Sequence, residues 1–299
     1  MKTFFALTKR NVKLFFKDKG MFFVSMITPV ILLVLYATFL ANVYKNSFVE
    51  SIPSFFEVSD NLINGTVSGQ LISSLMAVVP ITVAFNANMR MVQDKMSGVY
   101  KDLLVTPVKR SILALSYFVG SLCVTLIICY VACACGLGYV ALRGWYMSAS
   151  DVLLLLLDVL LLSLFGTALS SVIGVFLKTQ GQMSGVSAIV SAGYGFVCGA
   201  YMPISQFGEV LQKIISCLPG TYGTSLVRNH AMNGVFAEME ASGIPDQVVQ
   251  SIRDGVDCNL YFFGTEVSLA AMYLVTVGFT LLLLGAYVLI NLLLRERTK

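Results

Sequence analysis

Six long apolar runs constrain this chain more than any other feature: about residues 21–41, 69–90, 108–141, 152–177, 182–202 and 267–293. Each is near or above the ~20 residues that a helix needs to cross the hydrocarbon of a bilayer. Hydrophobic residues make up 57% of the 299 and charged ones 12%, about half the charged share of an ordinary soluble domain. The expected fold class is an all-α membrane protein with six transmembrane helices, and the whole chain, 1–299, reads as a single membrane domain. The first run is too long for the apolar core of a signal peptide and lacks a convincing cleavage signal, so it reads as a retained span. Pro29 and Pro80 are expected to kink the first two spans.

An even number of spans puts both termini on one side, and charge says which. That side carries 15 of the 20 Lys and Arg and four acids (Asp18, Asp94, Asp102, Glu296), whereas the opposite loops hold eleven acids. The positive-inside rule therefore places both termini in the cytoplasm. Residues 1–19 wind into a basic amphipathic helix, with Phe4, Phe5, Leu7, Val12, Leu14, Phe15 and Phe16 on one arc and Lys2, Lys9, Arg10, Lys13 and Lys17 on the other. Such a helix lies in the membrane interface, its basic arc near anionic headgroups. Of the two sizeable external loops, residues 42–68 carry the turn signal Asn64-Gly65. Residues 203–266 offer short helices at 206–218 and 245–254.

Between the second and third runs lies the one markedly charged segment, Met89 to Arg110. Gly98 can end a helix arriving from the membrane, while Thr106 can cap and Pro107 open the next. Val99 to Val105 has room for about two turns. Val99, Leu103 and Leu104 recur at helical spacing, flanked by Lys101 and Asp102. This reads either as a short cytoplasmic helix with a sticky side for another protein or as a plain loop whose charges set topology.

Chemistry is sparse. No Gly-Lys dipeptide occurs, so the chain has no GxxxxGK[ST] loop for nucleotide phosphates, and any ATP that drives it binds another chain. With one histidine, His230, read as lying in an external loop, and no CxxC or HExxH, neither a metal site nor hydrolytic catalysis is expected. Cys217 and Cys258 allow at most one external disulfide. Asp158 is the only acid well inside a span, a candidate proton or cation site. The bland reading, a carboxylate facing neighbouring helices or water near the outer interface, is preferred because no basic partner for it lies within any span. Ser184, Ser187, Ser191 and Tyr194 share a face of the fifth span. With Thr82 and Asn86 of the second, they could wall a route for an amphipathic cargo, or simply hydrogen-bond between helices. Gly166-x-x-x-Ser170-x-x-x-Gly174, Gly181-x-x-x-Gly185 and Gly195-x-x-x-Gly199 allow close helix packing, expected within the chain rather than between subunits.

At this point the chain resembles the permease subunits of type-2 ATP-binding-cassette exporters. Gly98 to Arg110, with Asp-Leu-Leu-Val-Thr-Pro-Val-Lys-Arg, is similar to that family's cytoplasmic coupling helix, although Tyr100-Lys101 stand where many members carry Leu-Glu. Gly199-Ala-Tyr-Met-Pro203, then Pro219, Tyr222 and Leu226-Val-Arg228, resemble its external half-helix region. The resemblance implies a multi-pass permease of the bacterial plasma membrane, one of two identical or different subunits in the lipid bilayer, seated on cytoplasmic ATPase subunits. This chain would bind no cofactor; ATP and Mg would sit on the partner subunit, and no nucleic acid is involved. It further implies that Gly98, Val99, Tyr100, Lys101, Asp102, Leu103, Leu104, Thr106, Pro107 and Arg110 couple to the ATPase. The implied cargo is amphipathic or lipid-like: a drug, an antimicrobial peptide or a lipid-linked glycan. Two alternatives stand beside it: a secondary transporter using Asp158, and a non-transporting membrane scaffold or sensor.

Overall fold

The computed structural model describes residues 2–42, 45, 48 and 59–296, so most of the first external loop lies outside the described residues. Helix α1 (Lys2–Lys17) and helix α2 (Lys19–Leu35) meet at a bend of 76°. Asp18 makes the corner, its carboxylate accepting the Met21 amide to cap α2. Helix α2 continues past Pro29 and ends in a π-helical turn, Tyr36–Leu40. Leu7, Asn11 and Phe15, four residues apart, form the buried face of α1, while Phe5 and Phe16 stay exposed.

Helix α3 (Asp60–Met96) is the central post. At 37 residues it is roughly 55 Å long, well beyond the hydrocarbon thickness. Its most apolar 18-residue window is entirely buried. A helix apolar on all sides needs partners on all sides. They are α2, α5 (Arg110–Arg143), α6 (Ala149–Phe176), α7 (Gln180–Val197) and α9 (Pro219–Ala241). Helix α6 comes close: a Cβ on Gly166 would sit 2.9 Å from the Ile81 side chain and 3.1 Å from the Pro80 carbonyl. One turn on, Ser170 donates to the Ala84 carbonyl and accepts from Asn88, so this small-residue stripe packs inside the chain, as expected. Gly181 and Gly185 differ: a Cβ on either meets no atom within 4 Å, because that face of α7 looks away from α3.

The short helix α4 (Val99–Val105) follows α3. On the opposite side come α8 (Glu209–Ser216), α9, α10 (Asp246–Gly255) and a hairpin of β1 (Tyr261–Phe262) with β2 (Thr265–Glu266), then α11 (Leu269–Glu296) along α6 and α9.

Four helices are long and apolar enough to cross a membrane, α3, α5, α6 and α11, or five with the bent α1–α2 pair. Helix α7 is not among them. Its two glutamines and many glycines and serines dilute it, and it stops at Val197, short of the expected 202, where Gly199 turns the chain at φ 75°. Asn64-Gly65 is no turn: Ser59 caps α3 ahead of it, and Gly65 instead admits the Tyr146 ring. The expected 206–218 helix divides into a 3-10 turn, Ile204–Gln206, and α8. The largest correction is α9, which fills much of a stretch read as loop. It is buried by Thr221, Thr224, Ser225, Arg228 and His230 as much as by apolar residues, so it carries no apolar stripe to read.

Candidate functional site

Helix α4 is set at an angle by its two ends. Gly98 adopts φ 85°, the left-handed region that favours glycine, and its carbonyl accepts the Lys101 and Asp102 amides. Thr106 and Pro107 close α4 rather than open α5: the Thr106 hydroxyl donates to the Leu103 carbonyl at 2.6 Å, and the residue before a proline avoids helical geometry. Helix α5 begins three residues beyond Pro107, at Arg110, with Lys109 as N-cap.

The sides of α4 are distinct. Tyr100, Leu103 and Leu104 turn inward with Val108 and pack on Leu7 of α1, Met91 of α3, and Leu113 and Tyr117 of α5. The Tyr100 and Tyr117 rings lie 6.1 Å apart. Burial pushes the Tyr100 phenol up, against the pull of Arg110. Lys101, Asp102, Val105, Thr106 and Pro107 face outward, Val105 at 85% exposure, while Val99, Gly98 and Arg110 are half-buried. The leucines that give the segment its helical period therefore seat α4 on its own chain, and the exposed side belongs to the other residues.

Beneath that seat lies a charge cluster that the sequence reading missed. Asp94, with no side-chain exposure, accepts from Arg10 Nη1 at 2.7 Å, from the Tyr117 hydroxyl at 2.7 Å and from Arg90 Nη2. Arg10 thus leaves the headgroup-facing arc assigned to it and ties α1 to α3 and α5. The only sequence signal is Arg90 four residues ahead of Asp94. Lys95 reaches the other way, donating to the Gly174 and Val175 carbonyls that end α6. Asn11 donates to the Ser116 carbonyl of α5 at 3.2 Å. Helix α4 is thereby braced against α3, α5 and α1, and α3 in turn is tied to α6.

The polar residues of the middle divide. Thr82 is wholly buried and returns its hydroxyl to the Val78 and Val79 carbonyls, while Asn86 is buried near it in sequence. On α7, Ser187 is buried with its hydroxyl unpartnered among the described residues, Ser191 and Tyr194 are half-buried, and Ser184 is exposed. Helices α3 and α7 pack together, but among the described residues no hydrogen bond joins these side chains to one another. The bonding between helices falls instead on Asn88, which reaches Ser170 and Ser171 at 2.8 and 2.9 Å and accepts Ser121.

Asp158 has partners after all. His230, on buried α9 rather than in a loop, places Nδ1 2.5 Å from one carboxylate oxygen, and the Tyr273 hydroxyl donates to the other at 2.7 Å. One carboxylate thus joins α6, α9 and α11.

The residues expected in the external half-helix region do converge. Arg228 is 1% exposed and donates to the Gly199 carbonyl at 2.6 Å and to Asp257 at 3.0 Å. Asp257 also accepts the Ile204 amide, just after Pro203. Burial pushes the Asp257 carboxyl up, and the Arg228 charge and that amide pull it back. Pro219 opens α9, and the Tyr222 hydroxyl donates to the Ser216 carbonyl at 2.6 Å, holding α8 against α9. Asp257 was missed because nothing in its flanking sequence marks it. Cys217 and Cys258 are free thiols, exposed and buried respectively.

A search among curated proteins returns no match. The family model described as ABC-2 type transporter matches residues 2–231, from α1 through α4 and into α9. With that match over most of its length and several helices able to cross a bilayer, the chain is a membrane permease belonging to the ABC-2 type transporter family.

Proposed function

We propose that this permease is the membrane subunit of an ATP-driven exporter, energised by separate cytoplasmic ATPase subunits that dock on α4. Its cargo is amphipathic or lipid-like. The chain crosses the membrane six times, with α2, α3, α5, α6 and α11 as spans and the more polar α7 crossing under cover of α3, both termini in the cytoplasm, and a second permease subunit beside it. ATP and Mg sit on the ATPase.

The observation that carries the reading is the division of α4. Its apolar side is locked onto α1, α3 and α5, while Lys101, Asp102 and the 85%-exposed Val105 project from it. A push on that outer surface passes through the Asp94 cluster into the central post as a rigid displacement. Val105→Asp places a charge where an apolar contact would form, at no cost to the seat. ATPase subunits then fail to co-purify while the permease still inserts. Full recovery of the complex with unimpaired transport would overturn the assignment.

The Asp158–His230–Tyr273 cluster supports a second reading, proton-coupled secondary transport. Transport that survives ATP depletion but is lost in Asp158→Asn would favour it.

A further inference from the structure

At the end of the bundle opposite α4, the segment between α7 and α11 encloses two adjoining cavities, and the residues that wall them all lie within the described stretch 204–279. One, of about 520 Å³, lies between α8, the end of α10 and the hairpin; the other, of about 330 Å³, lies between the hairpin and α11. Tyr222 lines both, its ring held as a partition by the bond from its hydroxyl to the Ser216 carbonyl. The hairpin gives Tyr261 to the first cavity and Phe262 to the second, since successive strand residues point to opposite faces.

The two linings differ in kind. The smaller is apolar, with Phe262, Val267, Val275, Phe279 and the free thiol of Cys217. Val275 and Phe279 belong to the candidate span α11, and Phe262 and Phe279 are 43% and 41% exposed, so this compartment opens onto the apolar belt of the protein. The larger is polar and acidic. Glu209 and Lys213, one turn apart on α8, have no hydrogen-bonding or ionic partner among the described residues. Asp254 accepts Asn259 and Tyr261 on one oxygen, which leaves the other open. Glu266 pairs with Tyr261 across the hairpin and adds its charge on the same face. The nearby arginines are engaged elsewhere, Arg228 with Gly199 and Asp257 and Arg253 over the Phe236 ring at 4.4 Å. Glu209, Asp254 and Glu266 therefore stand against Lys213 alone.

We propose that the two cavities together bind one cationic amphiphile, its positive head between Glu209, Asp254 and the rings of Tyr261 and Phe263, and its apolar body past Tyr222 against Phe262 and Phe279. The juxtaposition selects this occupant: an acidic compartment lined by aromatic rings abuts an apolar one that opens toward the hydrocarbon. A cation over an aromatic face gains attraction beyond that of the carboxylates. An anionic head meets the excess of negative charge, and a zwitterionic phospholipid brings its phosphate to the same carboxylates. This names the charge class of the amphipathic cargo. Only the direction in which that cargo leaves rests on the export reading above; binding does not.

The test is protection of Cys217 from a neutral maleimide in the full chain, purified in maltoside micelles and titrated with dodecyltrimethylammonium, dodecylphosphocholine or dodecyl sulfonate, each kept dilute relative to the maltoside. Cys217 is exposed and lines the apolar cavity, and Cys135, exposed on α5, reports micelle-wide effects in the same sample. Two exposed carboxylates about one head correspond to half-protection at about tenfold lower concentration of the ammonium than of either other probe. Glu209→Gln with Asp254→Asn is expected to bring the preference to within about threefold, and Lys213→Gln to widen it by about threefold. Circular dichroism verifies the fold of each variant. Equal protection by all three probes, or a preference unchanged in the double variant, would overturn the site. So would phosphocholine matching the ammonium, which would assign the cavities to an ordinary phospholipid. The assay contains no ATPase, so Val105→Asp should leave protection intact; failure of the export reading and failure of this site are thereby read separately.

Discussion

Replacing Asp94 with Asn changes one charge and almost no volume, at the point where α1, α3 and α5 are joined. The carboxylate accepts three donors, from Arg10, Tyr117 and Arg90, and is itself fully buried. Asparagine offers a single acceptor oxygen and turns an N–H₂ group toward at least one of those donors. Hydrogen bonds to charged groups contribute about 1.5–3 kcal/mol each, and breaking a buried ion pair from one side costs about 3–5 kcal/mol. The Arg10 and Arg90 side chains are 28% and 20% exposed, so water recovers part of this. We expect a net loss of about 2–4 kcal/mol. The assay is equilibrium unfolding of the purified chain in mixed micelles, run as a double-mutant cycle with Arg10→Met. Coupling between the two sites should reach about 1 kcal/mol or more, since each group is the other's partner. Proteolysis should show α1 released first, because Leu7 and Phe15 remain as its main anchors. A loss under about 1 kcal/mol with additive single effects would refute the reasoning: α1 would then dock by its apolar contacts and the Asn11 hydrogen bond without the ion pair, and the cluster could not stiffen α4.

Gly98→Ala introduces left-handed strain of about 1–2 kcal/mol in open space, and Gly98→Asn should be milder; comparison of the two melting curves separates conformation from sterics. Leu103→Asp, facing the chain, should cost about 2–4 kcal/mol in unfolding experiments, whereas Val105→Asp should stay within about 0.5 kcal/mol of wild type. Equal stability of these two variants would contradict the inward orientation of Leu103. Arg228→Met leaves Asp257 buried without its cation and the Gly199 carbonyl without its donor; a loss of about 3–5 kcal/mol is expected, read by thermal unfolding.

Much of the helical framework could be read from the chain because bilayer-length apolar runs and their punctuation are local signals. The stretches 108–141, 152–177 and 267–293 lie within a few residues of α5, α6 and α11, and Gly98 and Pro107 bracket α4 closely. Leu103 and Leu104 illustrate the limit. Their spacing announces a helix with one apolar side, but period alone cannot say whether that side meets its own chain or another. His230 and Asp158 illustrate a second: they are 72 residues apart, and because α9 has no apolar stripe the sequence places His230 in a loop, away from the span that holds Asp158. Arg228 and the Gly199–Pro203 stretch were singled out by resemblance, yet Asp257, the anion that holds them together, carries no motif.

Composition and hydropathy by themselves determined that this chain is a helical membrane protein, because the cost of burying charge in hydrocarbon is written residue by residue. Only the tertiary structure decided which polar groups are buried and with whom. Asp94, Asp158 and Asp257 each bond to groups far away in sequence. The energy of those contacts depends on helices being brought side by side, which no local pattern encodes.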